Sequence, residues 1–372
     1  MRPLLAAVAL AVAASVPASA SDGARPRQWH LDVIGAPAAG ADGTGVTVAI
    51  VDSGVDAAHP DLAGRVLPGI DLVDGDDDPA DAYGHGTHVA GIVAATVGGG
   101  EVVGVAPGVH VLPVRVLDAA GNGLLEDVVE GVRWAVAQGA DVVNLSLGED
   151  ATAVVGPSFA EALRAAWDAG TVPVVAAGNE LFADAGFSDE PVLVVAATTR
   201  DDGVPPYSSG VGSARWGIAA PGGVPPEQEP EGGILSTFGG GGYAWIAGTS
   251  QAAPQVSGAV AALLGLGLTP QEAVDRLLAT AVDVGDPGPD PVFGAGRLDL
   301  AAAVAAGPAE DEPQEPGPDR RTVTGPPLVE GPRAVPPVAA VAAAMLVTAG
   351  WLGTVRAWRD RRRRQSLAIA SS

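Results

Sequence analysis

The fold of this chain follows from three stretches of sequence: VAIVDSGV at residues 48–55, GHGTHVAG at residues 84–91 and GTSQAAP at residues 248–254. They place Asp52, His85 and Ser250 at glycine-rich junctions, in that order along the chain. An Asp, a His and a Ser can form a nucleophilic triad on an α/β sheet, and this order is one of several that achieve it. The sequence therefore predicts one nucleophilic site assembled from distant parts of the chain.

The segment between residues 45 and 306 alternates β-branched apolar runs with longer alanine-rich stretches of helical period. Strands that are apolar on both faces and alternate with helices are typical of a parallel sheet covered on both sides. We therefore expect an α/β fold with three layers and a mostly parallel central sheet. The expected strands are residues 46–51, 111–117, 142–147, 172–177 and 192–197, and the expected helices are residues 126–137, 159–169 and 254–264.

Each residue of the expected triad lies at a junction that suits its chemistry. Asp52 follows the end of a strand, and the functional groups of open parallel sheets gather at such carboxyl ends. His85 follows a loop of small residues, and we expect it to be the first residue of a helix. Ser250 begins another helix, whose free N–H groups stabilise negative charge. A serine there is ordinarily only a helix cap, but its combination with the other two motifs favours a nucleophile.

On these motifs, residues 30 to 305 resemble the subtilisin-like (subtilase) serine proteases. The resemblance implies a serine endopeptidase in which Asp52 orients His85, His85 acts as general base and Ser250 attacks the peptide bond. It also implies an oxyanion hole made by the side chain of Asn179 and the N–H of Ser250. No cofactor is required for this chemistry.

The resemblance further implies that a polypeptide substrate lies as an extended strand. Main-chain pairing would hold it, and pockets would select its side chains. The implied substrate-binding residues are Ser146, Leu147, Gly148, Ala177 and Gly178.

Two features depart from the subtilase pattern. Gln251 and Gln255 stand where subtilases often carry Met and His, and we expect them to affect helix packing and a pocket wall more than the triad. Residues 222–233 look like an insertion that either overhangs the cleft or forms only a mobile loop.

His88 follows His85 on a neighbouring helical face, and we expect it to be packed and hydrogen-bonded rather than bound to a metal.

The N-terminal residues predict export. An apolar run at residues 4–16 precedes Ala18-Ser19-Ala20, which has the form of a signal-peptidase site. We therefore expect a signal peptide at residues 1–20 and a short extension at residues 21–44, with the catalytic domain at residues 45–306. An uncleaved anchor is the alternative. Because subtilases typically carry a folded pro-domain where this extension stands, we expect the chain to fold spontaneously or with help from the membrane.

The C-terminal residues predict a membrane anchor. Residues 307–337 are rich in Pro and acidic residues, as expected of a disordered stalk. Residues 338–355 carry no charge and can just cross a bilayer as a transmembrane helix. The arginine-rich tail at residues 356–372 would stay in the cytoplasm. A buried apolar helix is the alternative for residues 338–355. We expect a single-pass protein of the cell membrane with an extracytoplasmic catalytic domain.

This architecture is similar to the mycosin branch of subtilases, which are membrane-anchored proteases associated with type VII secretion. The similarity implies components of a secretion system as partners. A second hypothesis stays open, in which the chain is a catalytically silent scaffold or binding subunit of a secretion or envelope assembly.

Composition limits the remaining partners. The net charge of −24 disfavours a nucleic acid, and the absence of Cys excludes stabilisation by disulfides. Acidic residues crowd the loop before His85, where some subtilases bind calcium. We therefore expect a structural Ca²⁺ at Asp74, Asp76, Asp78 and Asp81, with a solvated acidic loop as the alternative.

Overall fold

A seven-stranded parallel sheet lies at the centre of the computed structural model, which describes residues 27–147, 156–180 and 187–306. Its strand order is β2-β3-β1-β4-β5-β6-β7, and every neighbouring pair is parallel. The two neighbours of β1 in the sheet, β3 and β4, lie on opposite sides of it. In open parallel sheets, ligands bind beyond the carboxyl ends of the strands at such a switch point. The strands are β1 (Thr47–Asp52), β2 (Ile70–Asp71), β3 (His110–Arg115), β4 (Val142–Leu145), β5 (Val172–Ala176), β6 (Leu193–Thr198) and β7 (Trp216–Pro221).

Eight α-helices, two short 3-10 helices (Pro60–Leu62 and Gly239–Gly241) and one antiparallel hairpin accompany the sheet in the described residues. The hairpin joins β8 (Ile234–Phe238) to β9 (Gly242–Ile246). The helices are α1 (Trp29–Val33), α2 (Ala36–Ala39), α3 (His85–Ala94), α4 (Leu125–Ala137), α5 (Pro157–Asp168), α6 (Thr249–Gly265), α7 (Pro270–Thr280) and α8 (Leu300–Ala305).

Alternation along the central strand produces the three layers. Val48 and Ile50 join the apolar cluster that includes α3 and α6, whereas Ala49 and Val51 join the cluster that includes α4 and α5. Successive side chains of a strand point to opposite faces, so one apolar strand supplies both cores. The expected α/β fold with a parallel central sheet is confirmed.

The expected strands and helices all appear, with boundaries that differ by a few residues. Helix α6 begins at Thr249 and so carries Ser250 in its first turn. The strands β2 and β7 and the hairpin are not predicted by the sequence pattern. In β7, the sequence WGIAAP contains small residues and one β-branched side chain, so it lacks the pattern that marks the other strands.

Several predictions fall outside the described residues. They are the signal peptide, the stalk, the transmembrane helix, the basic tail and Gly148. No helix within residues 27–147, 156–180 and 187–306 is long and apolar enough to cross a membrane. The described part of the N-terminal extension contains α1 and α2, and Leu31 and Ile34 join the main apolar cluster.

Candidate active site

Asp52 and His85 form a buried pair beside the carboxyl end of β1. Asp52 is the last residue of that strand and His85 is the first residue of α3. The Nδ1 atom of His85 lies 2.8 Å from Oδ1 and 3.1 Å from Oδ2 of Asp52. The N–H of Ser53 also donates to Oδ1, at 2.7 Å. Because an ionised carboxylate only accepts, Nδ1 carries the proton and Nε2 of the neutral imidazole is left as an acceptor.

The surroundings of His85 raise its pKa above the ordinary value of 6.5. Complete burial lowers the pKa, but the charge of Asp52, its hydrogen bond and the charge of Asp81 more than offset this effect. The site therefore stabilises the imidazolium form of a buried side chain. A base of this kind is suited to taking a proton from a neighbouring hydroxyl.

Asp81 shapes the loop that delivers His85. Its Oδ1 accepts hydrogen bonds from Ser53 Oγ at 2.9 Å, Tyr83 N at 3.0 Å and Gly84 N at 2.7 Å. Its Oδ2 accepts from Thr87, from N at 2.8 Å and from Oγ1 at 2.6 Å. Asp81 thus ties the strand end, the loop and the first turn of α3 to one carboxylate.

The structure does not bring together the carboxylates expected to bind calcium. Both oxygens of Asp81 are used within the protein, as described above. Asp74 pairs with Arg115 at 2.7 Å, and Asp76 accepts from the N–H of Asp78 at 3.0 Å. In the described part of the chain, no group of three or more His, Cys, Asp or Glu residues could hold a metal ion. Arg115 and backbone donors compensate part of the negative charge of the acidic loop, and the bound Ca²⁺ stays a prediction.

Ser250 lies in the first turn of α6 with its side chain buried. Its Oγ makes no hydrogen bond in the structure. Its carbonyl oxygen accepts from Ser146 Oγ at 2.9 Å, and Ser146 Oγ in turn accepts from Asn144 Nδ2 at 2.9 Å. The side chain of Ser146 therefore anchors the helix that carries Ser250, and its expected role in main-chain pairing with a substrate stays a prediction.

Thr249 connects the Asn179 loop to the same helix. Its N–H and Oγ1 both donate to Oδ1 of Asn179, at 3.0 and 3.1 Å. Its Oγ1 also accepts from the N–H of Gly178 at 3.2 Å. A backbone N–H can only meet the oxygen of the amide, so this contact fixes the orientation of Asn179 and leaves Nδ2 as its free donor. Apart from its place before Ser250, no sequence pattern predicts this role of Thr249.

The other expected substrate-binding residues within the described part of the chain, Leu147, Ala177 and Gly178, are buried. Leu147 joins the apolar core. The N–H of Ala177 donates to Val195 O at 2.9 Å, and that of Gly178 is used by Thr249. These two N–H groups therefore belong to the fold and are not open to main-chain pairing with a peptide.

His88 is a structural residue, as its position suggested. Its Nε2 donates to the carbonyl oxygens of Ile234 and Ala244, at 3.1 and 3.0 Å. Burial lowers its pKa to about 3, so the ring is neutral at ordinary pH. It fastens α3 to both strands of the hairpin.

The segment 222–233 is held at both ends. Tyr207 Oη donates to Gly223 O at 2.8 Å. At the other end, Arg27 donates to Glu231 Oε1 at 2.8 and 3.1 Å, and Trp29 Nε1 donates to Gly233 O at 3.0 Å. The N-terminal segment therefore contacts this insertion at its C-terminal end.

The side chain of Gln251 contacts the triad, although we expected it to affect helix packing and a pocket wall more. Its Nε2 is 3.5 Å from Nε2 of His85. Gln255 instead donates to the carbonyl oxygens of Pro221 and Gln251. Only the first of these two departures from the subtilase pattern contacts the triad.

Known proteins share this sequence and fold. The family model described as "Subtilase family" matches residues 43–296. Thermitase from Thermoactinomyces vulgaris is 41% identical over 244 residues, which cover 64% of this chain and 82% of thermitase. A thermophilic serine proteinase from Bacillus sp. (strain AK1) is 37% identical over 267 residues, 70% of this chain and 62% of that protein. A solved protease structure from Pseudoalteromonas arctica PAMC 21717 matches with a TM-score of 0.68 at 32% identity, covering 77% of this chain and 99% of that chain.

The family match extends over most of the chain and includes the junctions of Asp52, His85 and Ser250. The strand order and the buried Asp–His pair agree with it. The chain belongs to the subtilase family and is a subtilisin-like serine endopeptidase.

Proposed function

We propose that the chain is a membrane-anchored serine endopeptidase that cleaves exported proteins outside the cytoplasm, with Asp52, His85 and Ser250 as its catalytic residues. The buried hydrogen bond between Asp52 and His85, 2.8 Å long, is the observation that carries this assignment. It leaves Nε2 of His85 as the proton acceptor, and Ser250 is the hydroxyl in the adjoining helix turn.

The reaction then follows in two halves. Nε2 of His85 takes the proton of Ser250 as Oγ attacks the substrate carbonyl, and Asp52 stabilises the imidazolium that forms. The imidazolium returns the proton to the leaving amine, and an acyl group stays on Ser250. Water, activated by His85, hydrolyses this acyl-enzyme. The raised pKa of His85 makes the imidazolium accessible in both halves.

Negative charge on the attacked oxygen needs donors that are already in place. Nδ2 of Asn179 is one, since Thr249 holds the opposite end of that amide. The N–H of Ser250 at the start of α6 is the other, supported by the positive end of a 17-residue helix. Two oriented donors of this kind stabilise a tetrahedral intermediate.

Asn179→Ala is expected to lower kcat by about 10²–10³, the magnitude found for such a donor in subtilisin, with little change in KM. Asn179→Asp is the second variant: it keeps an oxygen that accepts from Thr249, removes the donor and adds a negative charge that opposes the oxyanion, so its loss should be at least as large. Steady-state kinetics on a peptide substrate measures both. A loss of less than tenfold in the Asp variant would show that Asn179 does not stabilise the oxyanion.

The proposed location rests on the sequence at both ends of the chain. Export follows from the apolar run and small-residue site before Ser21, and anchoring follows from the uncharged residues 338–355 ahead of an arginine cluster. Because this order of segments is similar to that of mycosins, we propose that components of a type VII-like secretion system are its partners.

Expression of the full chain with a C-terminal epitope tag tests the location. We expect the protein to sediment with membranes and to resist extraction by high salt. Protease added to intact cells should remove the catalytic domain and spare the tag. Release into the soluble fraction at high salt, or loss of the tag on intact cells, would contradict a single-pass anchor with a cytoplasmic C-terminus.

Hydrolysis of an unstructured protein, such as casein, by the detergent-solubilised full chain tests the activity. The silent-scaffold alternative predicts no cleavage by folded protein. Cleavage that stops after treatment with a fluorophosphonate supports the endopeptidase.

A further inference from the structure

The side chain of Gln251 reaches the proton-accepting nitrogen of His85. Its Nε2 lies 3.5 Å from Nε2 of His85, and both side chains are buried. Gly248 makes room for the carboxamide, because a Cβ at that position would lie only 2.8 Å from Oε1 of Gln251. The amide is thus confined between Gly248 and the imidazole.

The protonation of His85 determines which side chain donates and which accepts in this contact. Nδ1–H of His85 is donated to Asp52, so Nε2 of the neutral ring has only a lone pair to offer. The NH₂ end of Gln251 can donate to that lone pair. Once Nε2 is protonated, two N–H groups face each other and the contact becomes unfavourable.

This arrangement leaves the hydroxyl of Ser250 without a hydrogen-bond acceptor. Its Oγ is buried and makes no hydrogen bond, although the neighbouring imidazole is the acceptor that its catalytic role requires. The lone pair of His85 is engaged by Gln251 instead.

We propose that Gln251 is a positioning residue that occupies Nε2 of His85 in the free enzyme, so that the imidazole must leave Gln251 before it takes the proton of Ser250. This inference rests on the proposed catalytic roles of His85 and Ser250. The contact is long for a hydrogen bond, and its effect is therefore small and graded rather than an on–off switch.

The charges around His85 are few, which makes the effect measurable. Asp52 and Asp81 act on the ring as negative charges. Tyr83 is neutral, since burial and the charge of Asp52 raise its pKa, and His88 is neutral because burial lowers its pKa to about 3. Neither changes charge between pH 5 and 9.

Histidine titration by NMR in the Ser250→Ala background tests the contact without any need for activity. Gln251 donates to the neutral ring, so removing it should make protonation easier. We expect Gln251→Met to raise the pKa of His85 by roughly 0.3–0.7, which corresponds to a hydrogen bond at the weak end of the range. Gln251→Leu is the second variant if the Met variant does not fold.

Gln255→Met is the control. It makes the same exchange one turn along α6, but Gln255 donates to backbone carbonyls and not to His85. We expect it to leave the pKa of His85 unchanged.

Kinetics of the enzyme with Ser250 intact supply the second readout. Gln251→Met should move the acidic limb of kcat/KM to higher pH by the same amount and raise its plateau roughly twofold. An unchanged or lowered pKa of His85 would overturn the inference even if the enzyme cleaves peptides. If the pKa rises as expected but no variant hydrolyses any substrate, the contact is real and the proposed function fails.

Discussion

Ser250→Ala is expected to lower kcat by about 10⁶, as loss of the nucleophile does in subtilisin, and to leave the fold intact. The large loss follows because the only other hydroxyl in the first turn of α6, that of Thr249, donates to Asn179 and is not positioned to replace the nucleophile. Stability should change by less than about 0.5 kcal/mol, since Oγ makes no hydrogen bond that the protein would miss. Kinetics on a peptide anilide and thermal melting of the same preparation measure both quantities.

Ser257→Ala separates stability from chemistry on the same helix. Ser257 Oγ donates to Asn144 Oδ1 at 2.8 Å in the buried network behind Ser250. Loss of this hydrogen bond should lower the free energy of unfolding by about 1–3 kcal/mol, because a buried acceptor is left without its partner. Most of the turnover should remain in Ser257→Ala.

Residual turnover above about 1% in Ser250→Ala, once contamination is excluded, would remove Ser250 from the proposed mechanism.

Asp52→Asn is expected to lower kcat by about 10⁴. The amide fits the same space, but its NH₂ end can face Nδ1 of His85 and force the proton onto Nε2. In that tautomer the imidazole cannot accept the proton of Ser250. The variant should fold normally, because the carboxamide oxygen can still accept from the N–H of Ser53, which lies 2.7 Å from Oδ1.

The same variant should also change the pH dependence of kcat/KM. His85 is active when neutral, so activity falls as the pH drops through its pKa. In the wild type the charge of Asp52 raises that pKa above the ordinary value of 6.5. Removal of the charge should therefore move the acidic limb to lower pH while the plateau falls. An acidic limb that stays in place or moves to higher pH would contradict the assigned pairing.

The triad could be located from the sequence because each member follows a recognisable junction. The apolar run before Asp52 marks a buried strand, and the glycines around His85 and before Ser250 mark tight entries to helices. Such local patterns also identified the strands rich in Val. They did not identify β7, where packing between neighbouring strands, rather than β propensity, decides the conformation.

The side-chain contacts that no local sequence pattern predicts depend on where the side chains point in the folded protein. In the acidic loop, Asp81 accepts hydrogen bonds from its own loop and from α3, and Asp74 pairs with Arg115 from β3. The hydrogen bond from Ser146 Oγ to the carbonyl oxygen of Ser250 is a contact of this kind. The contact of Gln251 with His85 joins side chains 166 positions apart, and no local pattern reports such a meeting.

The most direct test of the account is the intact mass of the purified catalytic domain after reaction with a fluorophosphonate, with wild type and Ser250→Ala side by side. We expect one adduct per wild-type molecule, mapped by peptide mass spectrometry to Ser250, and none on the variant. Folded wild-type protein that takes up no label, or a variant that is labelled as well as the wild type, would contradict a triad of Asp52, His85 and Ser250.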